Sequence, residues 1–234
     1  MDFYDLYAPV NEAKKALELI KGWNISGIAL THIYEDKEGI NKYLERMDEL
    51  NSQTKLDLVR CCVLDPGSPR ELKDMLGETR QKVEIVEVDG GSFEINKAAV
   101  EDRRVDVLLH PEHKRKDPGI DHKTARAAAE NEVVVGFVFH DLHQTYGKVR
   151  SHVLEHIRNS IDLCQKYGAS FIVTSGAKDK YALRGGRELM SLPKVLGVEK
   201  GTAIDSVTNI PKKIVQKNRK KLKGKIKKGG VEEL

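Results

Sequence analysis

The chain has 234 residues, with 40 lysines and arginines against 36 aspartates and glutamates, and its formal net charge is +4. Its hydrophobic fraction of 39 % excludes a disordered chain, and no segment approaches the roughly 18 consecutive apolar residues of a membrane span. The charge is graded: residues 1–102 hold 13 basic and 21 acidic side chains, residues 103–210 hold 17 and 13, and residues 211–234 hold 10 and 2.

Short β-rich segments alternate with helical patterns, and their spacing of about 25 to 30 residues is typical of βα units. Several of these segments are nearly continuous Val, Ile and Leu, as expected for parallel strands that are covered on both faces. Apolar residues at helical spacing predict helices over 13–20, 40–47 and 153–164. The seven predicted strands are residues 3–6, 27–33, 56–64, 83–88, 105–110, 133–139 and 171–174.

After the seventh predicted strand only helical patterns follow, from Leu189 to Leu222. Seven βα units favour a TIM-like parallel (β/α) barrel with seven strands and extra C-terminal helices. A doubly wound sheet is less consistent, because no glycine-rich dinucleotide turn follows the first strand. We expect one α/β barrel domain over residues 1–222. Residues 223–234 are basic and glycine-rich, which predicts a disordered tail.

The start of the chain and its cysteines bear on the compartment. The chain is polar from residue 2 and has no basic head followed by an apolar segment, so no secretory signal is expected and a cytoplasmic protein is predicted. Cys61, Cys62 and Cys164 are too few and odd in number for a disulfide framework. We expect all three to be small buried apolar side chains.

Histidines and aspartates follow the predicted strands, and in a parallel barrel these positions meet at the functional carboxyl-end face. Because such groups can hold ions that activate water, a stand-alone metal-dependent phosphoesterase is the alternative hypothesis. Barrel hydrolases of the polymerase-and-histidinol-phosphatase (PHP) type anchor their metals with a His-x-His pair after the first strand. This chain has Tyr7 and Pro9 there, which argues against a catalytic metal. The alternative rests on His32, His110, His140, Asp141 and His143.

Cationic side chains dominate the segments after the fifth, sixth and seventh predicted strands. Loops of neighbouring strands lie side by side in a barrel, so a continuous basic rim is expected, and the basic helix over residues 210–222 adds to it. Such a field suits a polyphosphate backbone and favours nucleic acid as the partner. The loop residues concerned are Lys114, Arg115, Lys116, Lys148, Arg150, Arg158, Lys178, Lys180, Arg184 and Arg187.

Several stretches together carry a family resemblance, through their order and spacing rather than through one diagnostic motif. They resemble the ribonuclease P protein component 3 family, a thirty-kilodalton subunit family of archaea and eukaryotes, over roughly residues 2–222. The stretches are Phe-Tyr-Asp-Leu from Phe3, Val-Asp-Val-Leu-Leu-His-Pro-Glu from Val105, Ile-Val-Thr-Ser-Gly-Ala from Ile172, Leu-Arg-Gly-Gly-Arg-Glu-Leu from Leu183, Val-Leu-Gly-Val from Val195 and Asn-Ile-Pro-Lys-Lys-Ile from Asn209.

The resemblance implies a barrel related to the PHP hydrolases that has lost their metal ligands, in agreement with Tyr7 and Pro9. It implies a protein subunit of ribonuclease P, the ribonucleoprotein endonuclease that removes the 5′ leader of precursor tRNA. Catalysis would come from the RNA, so the isolated chain is expected to be inactive. No cofactor is expected on the protein, and magnesium is expected at the RNA component. The implied partners are ribonuclease P RNA, precursor tRNA within the complex, and other protein subunits, among them component 2; no membrane is implied.

The resemblance also suggests which residues contact RNA. Arg115 and Arg184 are the best matches, followed by Lys123, Lys178 and Arg187. Charge and position alone add Lys114, Arg150 and Arg158. No catalytic residue and no metal ligand is assigned, and the acidic first half is left as the surface for a protein partner. A third hypothesis, a barrel scaffold that only associates with proteins, would show strong complex formation without salt-dependent RNA binding.

Overall fold

The structure, a computed structural model, describes residues 1–8 and 12–224. Seven parallel strands form one sheet whose order follows the chain, and this confirms the predicted TIM-like barrel. Each predicted strand is confirmed to within two residues at both ends. The strands are β1 (Phe3–Ala8), β2 (Ile25–Ile33), β3 (Asp57–Leu64), β4 (Ile85–Asp89), β5 (Val107–Leu109), β6 (Val134–Val138) and β7 (Phe171–Thr174).

Helices follow the strands, and polar residues at their first turns set where they begin. Asp36 and Ser68 accept hydrogen bonds from backbone N–H groups at the starts of two helices, and Asp121 forms a capping box with Thr124. The helices are α1 (Ala13–Leu19), α2 (Lys37–Asn51), α3 (Pro69–Thr79), α4 (Phe93–Glu101), α5 (His122–Asn131), α6 (Phe139–His143), α7 (Gly147–Tyr167), α8 (Gly186–Val195), α9 (Lys200–Asp205) and α10 (Asn209–Leu222), with a 3₁₀ turn at Lys180–Ala182.

Alternate side chains of the strands fill the barrel interior and the layer beneath the helices. Cys61 packs in the interior cluster with Leu6 and Ile85, whereas its neighbour Cys62 packs in the outer cluster. Cys164 also lies in the outer cluster, and all three thiols are free and buried, as predicted. Apolar material on both faces explains why the strands read as continuous Val, Ile and Leu.

The barrel closes between β7 and β1 without an eighth strand among the described residues. At the carboxyl ends, the backbone N–H of Gly176 donates to the carbonyl of Tyr7 over 2.9 Å. At the amino ends, the carbonyl of Val207 accepts from the N–H of Tyr4 at 2.9 Å, and the carbonyl of Ser206 accepts from the N–H of Val173 at 3.4 Å. Two residues before α10 therefore bridge the strands that an eighth strand would join.

Helix α10 covers the amino-end opening of the barrel. Its Val215 is buried in the interior cluster, and the guanidinium of Arg219 donates to the carboxylates of Asp57 at 2.7 Å and Glu84 at 2.8 Å. Asn218 donates to the Asp106 carboxylate over 2.7 Å. Lys212 and Lys217 pair with Asp2 and Glu132. These three cations thus neutralise carboxylates of the barrel's own first and middle segments, and the interpretation of this helix as a nucleic-acid surface stays a prediction.

No helix within residues 1–8 and 12–224 is long and apolar enough to cross a membrane. Two sequence expectations lie outside the described residues: the second position of the His-x-His comparison, Pro9, and most of the predicted tail, residues 225–234.

Candidate functional site

The mouth of the barrel, formed by the carboxyl ends of β4, β5 and β6, holds one histidine between two carboxylates. His110 directly follows β5, and its Nε2 and Nδ1 lie at hydrogen-bonding distance from Asp89 at the end of β4 and Asp141 in α6. The ring of His113 lies tilted against that of His110 with centroids 4.9 Å apart, and its Nδ1 lies 3.8 Å from Asp141. We call His110, His113, Asp89 and Asp141 the mouth cluster.

Two further carboxyl groups are buried beside the mouth cluster. Burial raises the pKa of Glu112 to about 7, and it raises the pKa of Glu87 well above its ordinary value. Neither oxygen of Glu87 has a hydrogen-bond partner among the described residues, and neither does Oε2 of Glu112. Burial therefore favours the neutral form of both acids, and neither is paired with a lysine or arginine among the described residues.

The charges of the mouth cluster itself are fixed by the contacts of His110. Burial alone would lower the pKa of His110, but its hydrogen bonds to Asp141 and Asp89 outweigh burial and raise the pKa to about 10. Burial also opposes ionisation of Asp141, yet the bond to His110 outweighs it and holds the pKa of that carboxyl below its ordinary value. The contacts of His110 with these carboxylates thus favour the positively charged form of its ring.

The mouth cluster does not fit a catalytic metal. Donor atoms of His110, His113 and Asp141 lie within 4.8 Å of one another, but both nitrogens of His110 already face carboxylate oxygens. Tyr7, where a PHP hydrolase has its first histidine, offers a phenol whose pKa burial raises further. The arrangement of the described residues therefore does not fit the metal centre of a hydrolase.

The other histidines of the phosphoesterase hypothesis do not complete such a centre. His32 stacks on Tyr43 with centroids 5.2 Å apart, and its Nε2 is buried without a partner among the described residues. His140 and His143 flank Asp141 in α6, but the metal-ligating geometry found within the described chain includes neither. The predicted convergence is confirmed only for His110 and Asp141.

Ser175 at the end of β7 does not form a nucleophilic site. Its hydroxyl donates to the Asp5 carboxylate, and its N–H donates to the same carboxylate over 3.0 Å. Both residues are buried, and burial raises the pKa of Asp5 to about 6. Asp5 accepts a hydrogen bond from this hydroxyl and is buried away from solvent. The pair therefore joins β1 to β7 and does not activate a substrate.

The predicted cations of the loop after β5 differ in what their side chains do. Arg115 donates to both carboxylate oxygens of Asp117 at 2.7 Å and to the carbonyl of Gly91 at 3.1 Å, and only 20 % of its side chain is exposed. Lys114 and Lys123 form no side-chain hydrogen bond or ion pair within the described part of the chain. Arg115 therefore shapes the loop, while the two lysines remain open to a partner.

The segment after β6 adds aromatic and apolar surface that the sequence pattern did not reveal. Tyr146 is 77 % exposed and Val149 is 59 % exposed at the start of α7. Arg150 donates to the carbonyl of Thr145 over 2.6 Å and so fixes this turn. Arg158 lies two turns further along α7 and is exposed, without an ion pair among the described residues.

The segment after β7 places its cations in two separate regions of the barrel. Burial lowers the pKa of the His140 imidazole, and the positive charge of nearby Lys178 lowers it further. Arg184 and Arg187 line a cleft of about 520 Å³ together with Trp23, which precedes β2, and exposed Tyr181. The predicted continuous basic rim is therefore not formed, because these arginines lie on the flank near the amino ends of β1 and β2.

Comparison with known proteins assigns the family. The family model described as RNase P subunit p30 matches residues 2–223. This chain belongs to the RNase P subunit p30 family. Its relatives in that family include the Ribonuclease P protein component 3 of Methanococcoides burtonii, 35 % identical over 93 % of this chain and 88 % of that protein. The component 3 of Methanothermobacter thermautotrophicus is 32 % identical over 92 % of this chain and 89 % of that protein.

Solved structures agree with this assignment. A chain in the cryo-EM structure of archaeal Ribonuclease P with mature tRNA superposes with a TM-score of 0.86 and 27 % identity, covering 99 % of this chain and 97 % of that one. The histidinol phosphate phosphatase of Lactococcus lactis superposes with a TM-score of 0.59 and 11 % identity, covering 85 % and 95 %. The second likeness shows the shared barrel fold alone, so p30 membership rests on the other matches.

Proposed function

We infer that this chain is a protein subunit of ribonuclease P and takes part in removing the 5′ leader of precursor tRNA. The observation that carries this function is the end-to-end match to component 3 proteins, at up to 35 % identity, together with the superposition on a chain of the archaeal holoenzyme. The match spans the whole barrel and helix α10. The chain is proposed to bind ribonuclease P RNA, to meet precursor tRNA within the complex, and to work in the cytoplasm.

In this proposal the protein carries no chemistry of its own. The mouth cluster lacks a free metal ligand at His110, and Ser175 is buried, so the described residues offer neither an activated water nor a nucleophile. Magnesium and catalysis then belong to the RNA component, and no cofactor is proposed for the protein. The stand-alone phosphoesterase hypothesis is supported by neither the site nor the family match.

Of the eight predicted RNA-contact residues, only Arg115 is ion-paired within the described chain, and five others form neither an ion pair nor a side-chain hydrogen bond there. A phosphate contact requires a positive group that reaches solvent, and these residues meet that requirement, whereas Arg115, Arg150 and Arg184 also donate to carbonyls or carboxylates of their own segments. The remaining five are proposed as direct contacts: Lys114, Lys123, Lys178, Arg158 and Arg187.

The protein partner is proposed to be another ribonuclease P subunit, with component 2 implied by the family. The acidic first half, 21 acidic against 13 basic side chains over residues 1–102, is the proposed docking face for a basic partner. Part of that charge is already neutralised by α10, because Asp2, Asp57 and Glu84 are ion-paired with it. The exposed carboxylates of Glu45, Glu49 and Asp74 on α2 and α3 have no ion pair among those found in the described residues and are proposed for this contact.

Reconstitution of the holoenzyme tests the proposal. The double variant Lys178→Ala/Arg187→Ala is expected to bind ribonuclease P RNA several-fold more weakly and to raise the magnesium needed for precursor tRNA cleavage, since each phosphate contact contributes on the order of 1 kcal/mol. Lys97→Ala, an exposed cation on the acidic half, is the matched control. Wild-type binding and cleavage by the folded double variant would remove these two residues from the RNA surface. Failure of the unaltered chain to join the complex would overturn the function itself.

A further inference from the structure

We propose that His110 is a fixed cation of the barrel mouth: its imidazolium bridges Asp89 and Asp141, takes the place of a metal ion, and joins the ends of β4, β5 and β6. The hydrogen-bond donors and acceptors around the His110 ring support this charge. A neutral imidazole has one N–H donor and one acceptor nitrogen, whereas an ionised carboxylate only accepts. Because both ring nitrogens of His110 face carboxylate oxygens, two ionised partners require two N–H donors on the ring.

Within residues 1–8 and 12–224, His110 is the cation that contacts both of these carboxylates. Among the described residues, neither Asp89 nor Asp141 has a lysine or arginine within ion-pair distance, and His113 approaches only Asp141, at 3.8 Å. Two buried or half-buried carboxylates without a cation would repel each other across the mouth. The titratable groups around His110 are Glu87 and Asp89 of β4, Glu112 and His113 of its own loop, and Asp141 of α6, while Tyr7 of β1 acts on the carboxylates and Lys114 on His113.

The backbone at His110 supports a fixed position for the ring. Its φ of +27° lies in the left-handed region, which a residue with a side chain adopts at a cost. The position is held by two backbone hydrogen bonds, from its N–H to the carbonyl of Gly136 over 2.7 Å and from the N–H of His113 to its carbonyl over 2.9 Å. The strained turn directs the imidazole between two neighbouring strand ends instead of outward to solvent.

A positioning role follows for the RNA surface, and this part rests on the proposed function. The bridge ties the start of the loop that holds Lys114 and Arg115 to α6, after which the segment with Arg150 begins. Loss of the bridge would free two cation-bearing segments relative to each other while leaving the barrel strands in place. His110 therefore acts through the loops and does not itself touch RNA.

Nuclear magnetic resonance of the full chain with ¹⁵N-labelled histidine tests the protonation state directly. We expect both ring nitrogens of His110 to carry protons at about pH 8, where an ordinary histidine with a pKa near 6.5 is neutral. In Asp141→Asn the His110 ring should lose its second proton at a pH at least one unit lower, which is a tenfold change in proton concentration. Asp117→Asn, which changes an exposed carboxylate paired with Arg115, is the control and should leave the His110 signals unchanged. A single-proton His110 ring in the unaltered chain at that pH would overturn the proposal.

Metal binding provides the second measurement. The chain is dialysed against zinc chloride or manganese chloride, then against buffer, and its metal content is determined. Retention of one ion per chain that His110→Gln abolishes would show a metal centre in place of the imidazolium. The expected result is substoichiometric metal in both proteins. In reconstituted holoenzyme, His110→Gln is expected to weaken RNA binding several-fold. The resonance measurement uses the isolated chain, so its result does not depend on whether ribonuclease P assembles.

Discussion

At the scale of single residues, the charge of a side chain in this barrel depends on its contacts more than on its type. Arg115 and Lys114 are neighbours in sequence, yet one is bound by Asp117 and the other is open to a partner. Glu112 and Asp141 are both carboxyl groups near His110, but burial raises the pKa of the first to about 7, while the bond to His110 holds the pKa of the second low. Two acids beside the same loop are thus shifted in opposite directions by their surroundings.

The raised pKa of His110 predicts how stability depends on pH. A histidine whose pKa rises from its ordinary 6.5 to about 10 on folding stabilises the protein fully below 6.5 and loses that contribution as pH rises toward 10. Between about pH 7 and about pH 8.5 the free energy of unfolding is expected to fall by about 2 kcal/mol from this group. The raised acids Asp5 and Glu112 titrate at about 6 and about 7, mostly below this window.

Urea unfolding at the two pH values measures this effect. In His110→Gln the decline should be much smaller than in the unaltered chain, because the titrating ring is absent. An equal decline in both proteins would show that another group titrates there.

At the scale of elements, close contacts at glycines fix how α8 and β2 lie against β1. A Cβ added at Gly186 would lie 2.0 Å from the ring of Phe3, and one at Gly27 would lie 2.2 Å from the ring of Tyr4. Neither distance is possible without moving an aromatic side chain of the core. Both glycines are therefore required by packing against β1 and not by a turn.

Alanine at Gly186 is expected to lower the free energy of unfolding by roughly 1–3 kcal/mol through overpacking against Phe3. Gly77 in α3 is the matched comparison, since it is exposed and a Cβ there meets nothing within 4 Å. Gly77→Ala should stabilise by about 0.5–1 kcal/mol through higher helix propensity. Thermal or urea unfolding distinguishes the two, and a stabilising Gly186→Ala would contradict the contact with Phe3.

Helix α10 gives a second prediction at this scale. Arg219→Met would leave the partly buried carboxylates of Asp57 and Glu84 without their cation, so a loss of about 3 kcal/mol is expected in urea unfolding. Lys213→Ala on the same helix is exposed and should change stability by less than about 0.5 kcal/mol. Equal stability of both variants would show that α10 is held by its apolar face alone.

At the scale of the whole molecule, the charge gradient is partly internal. Cations of α10 neutralise acids at the amino ends of the strands, so the +8 of residues 211–234 is not all available to a partner. The cations that remain open lie in separate places, at the loop after β5, along α7 and on the flank near Trp23. RNA bound by this subunit is therefore expected to contact several faces, not one rim.

Salt dependence measures how many of these cations RNA neutralises. For Lys178→Ala/Arg187→Ala, the slope of log affinity against log salt for ribonuclease P RNA should become shallower by roughly two, one for each lost phosphate contact. Lys97→Ala should keep the wild-type slope. An unchanged slope in the double variant would mean that neither residue contacts a phosphate.

Sequence predicted the strands and the barrel because continuous apolar segments and helical stripes are local patterns. It did not predict the contacts that span the chain, such as Ser175 with Asp5, which are 170 residues apart. The basic residues of α10 form the same sequence pattern whether they contact RNA or carboxylates such as Asp57. Composition alone could not distinguish these two kinds of contact. The mouth cluster was found only in part, because Asp89 and His110 are 21 residues apart and their pairing depends on strand register.

The bridge from Ser206 and Val207 to β7 and β1 has a consequence for the order of events during synthesis. The first strand to leave the ribosome has its edge at Tyr4 completed by a segment made some two hundred residues later. Until Val207 and Arg219 have emerged, the nascent chain exposes an unpaired strand edge and an open barrel end. Closure of this barrel therefore waits for a late segment of the chain, and a chain halted before residue 207 exposes a strand edge that other nascent chains can pair with.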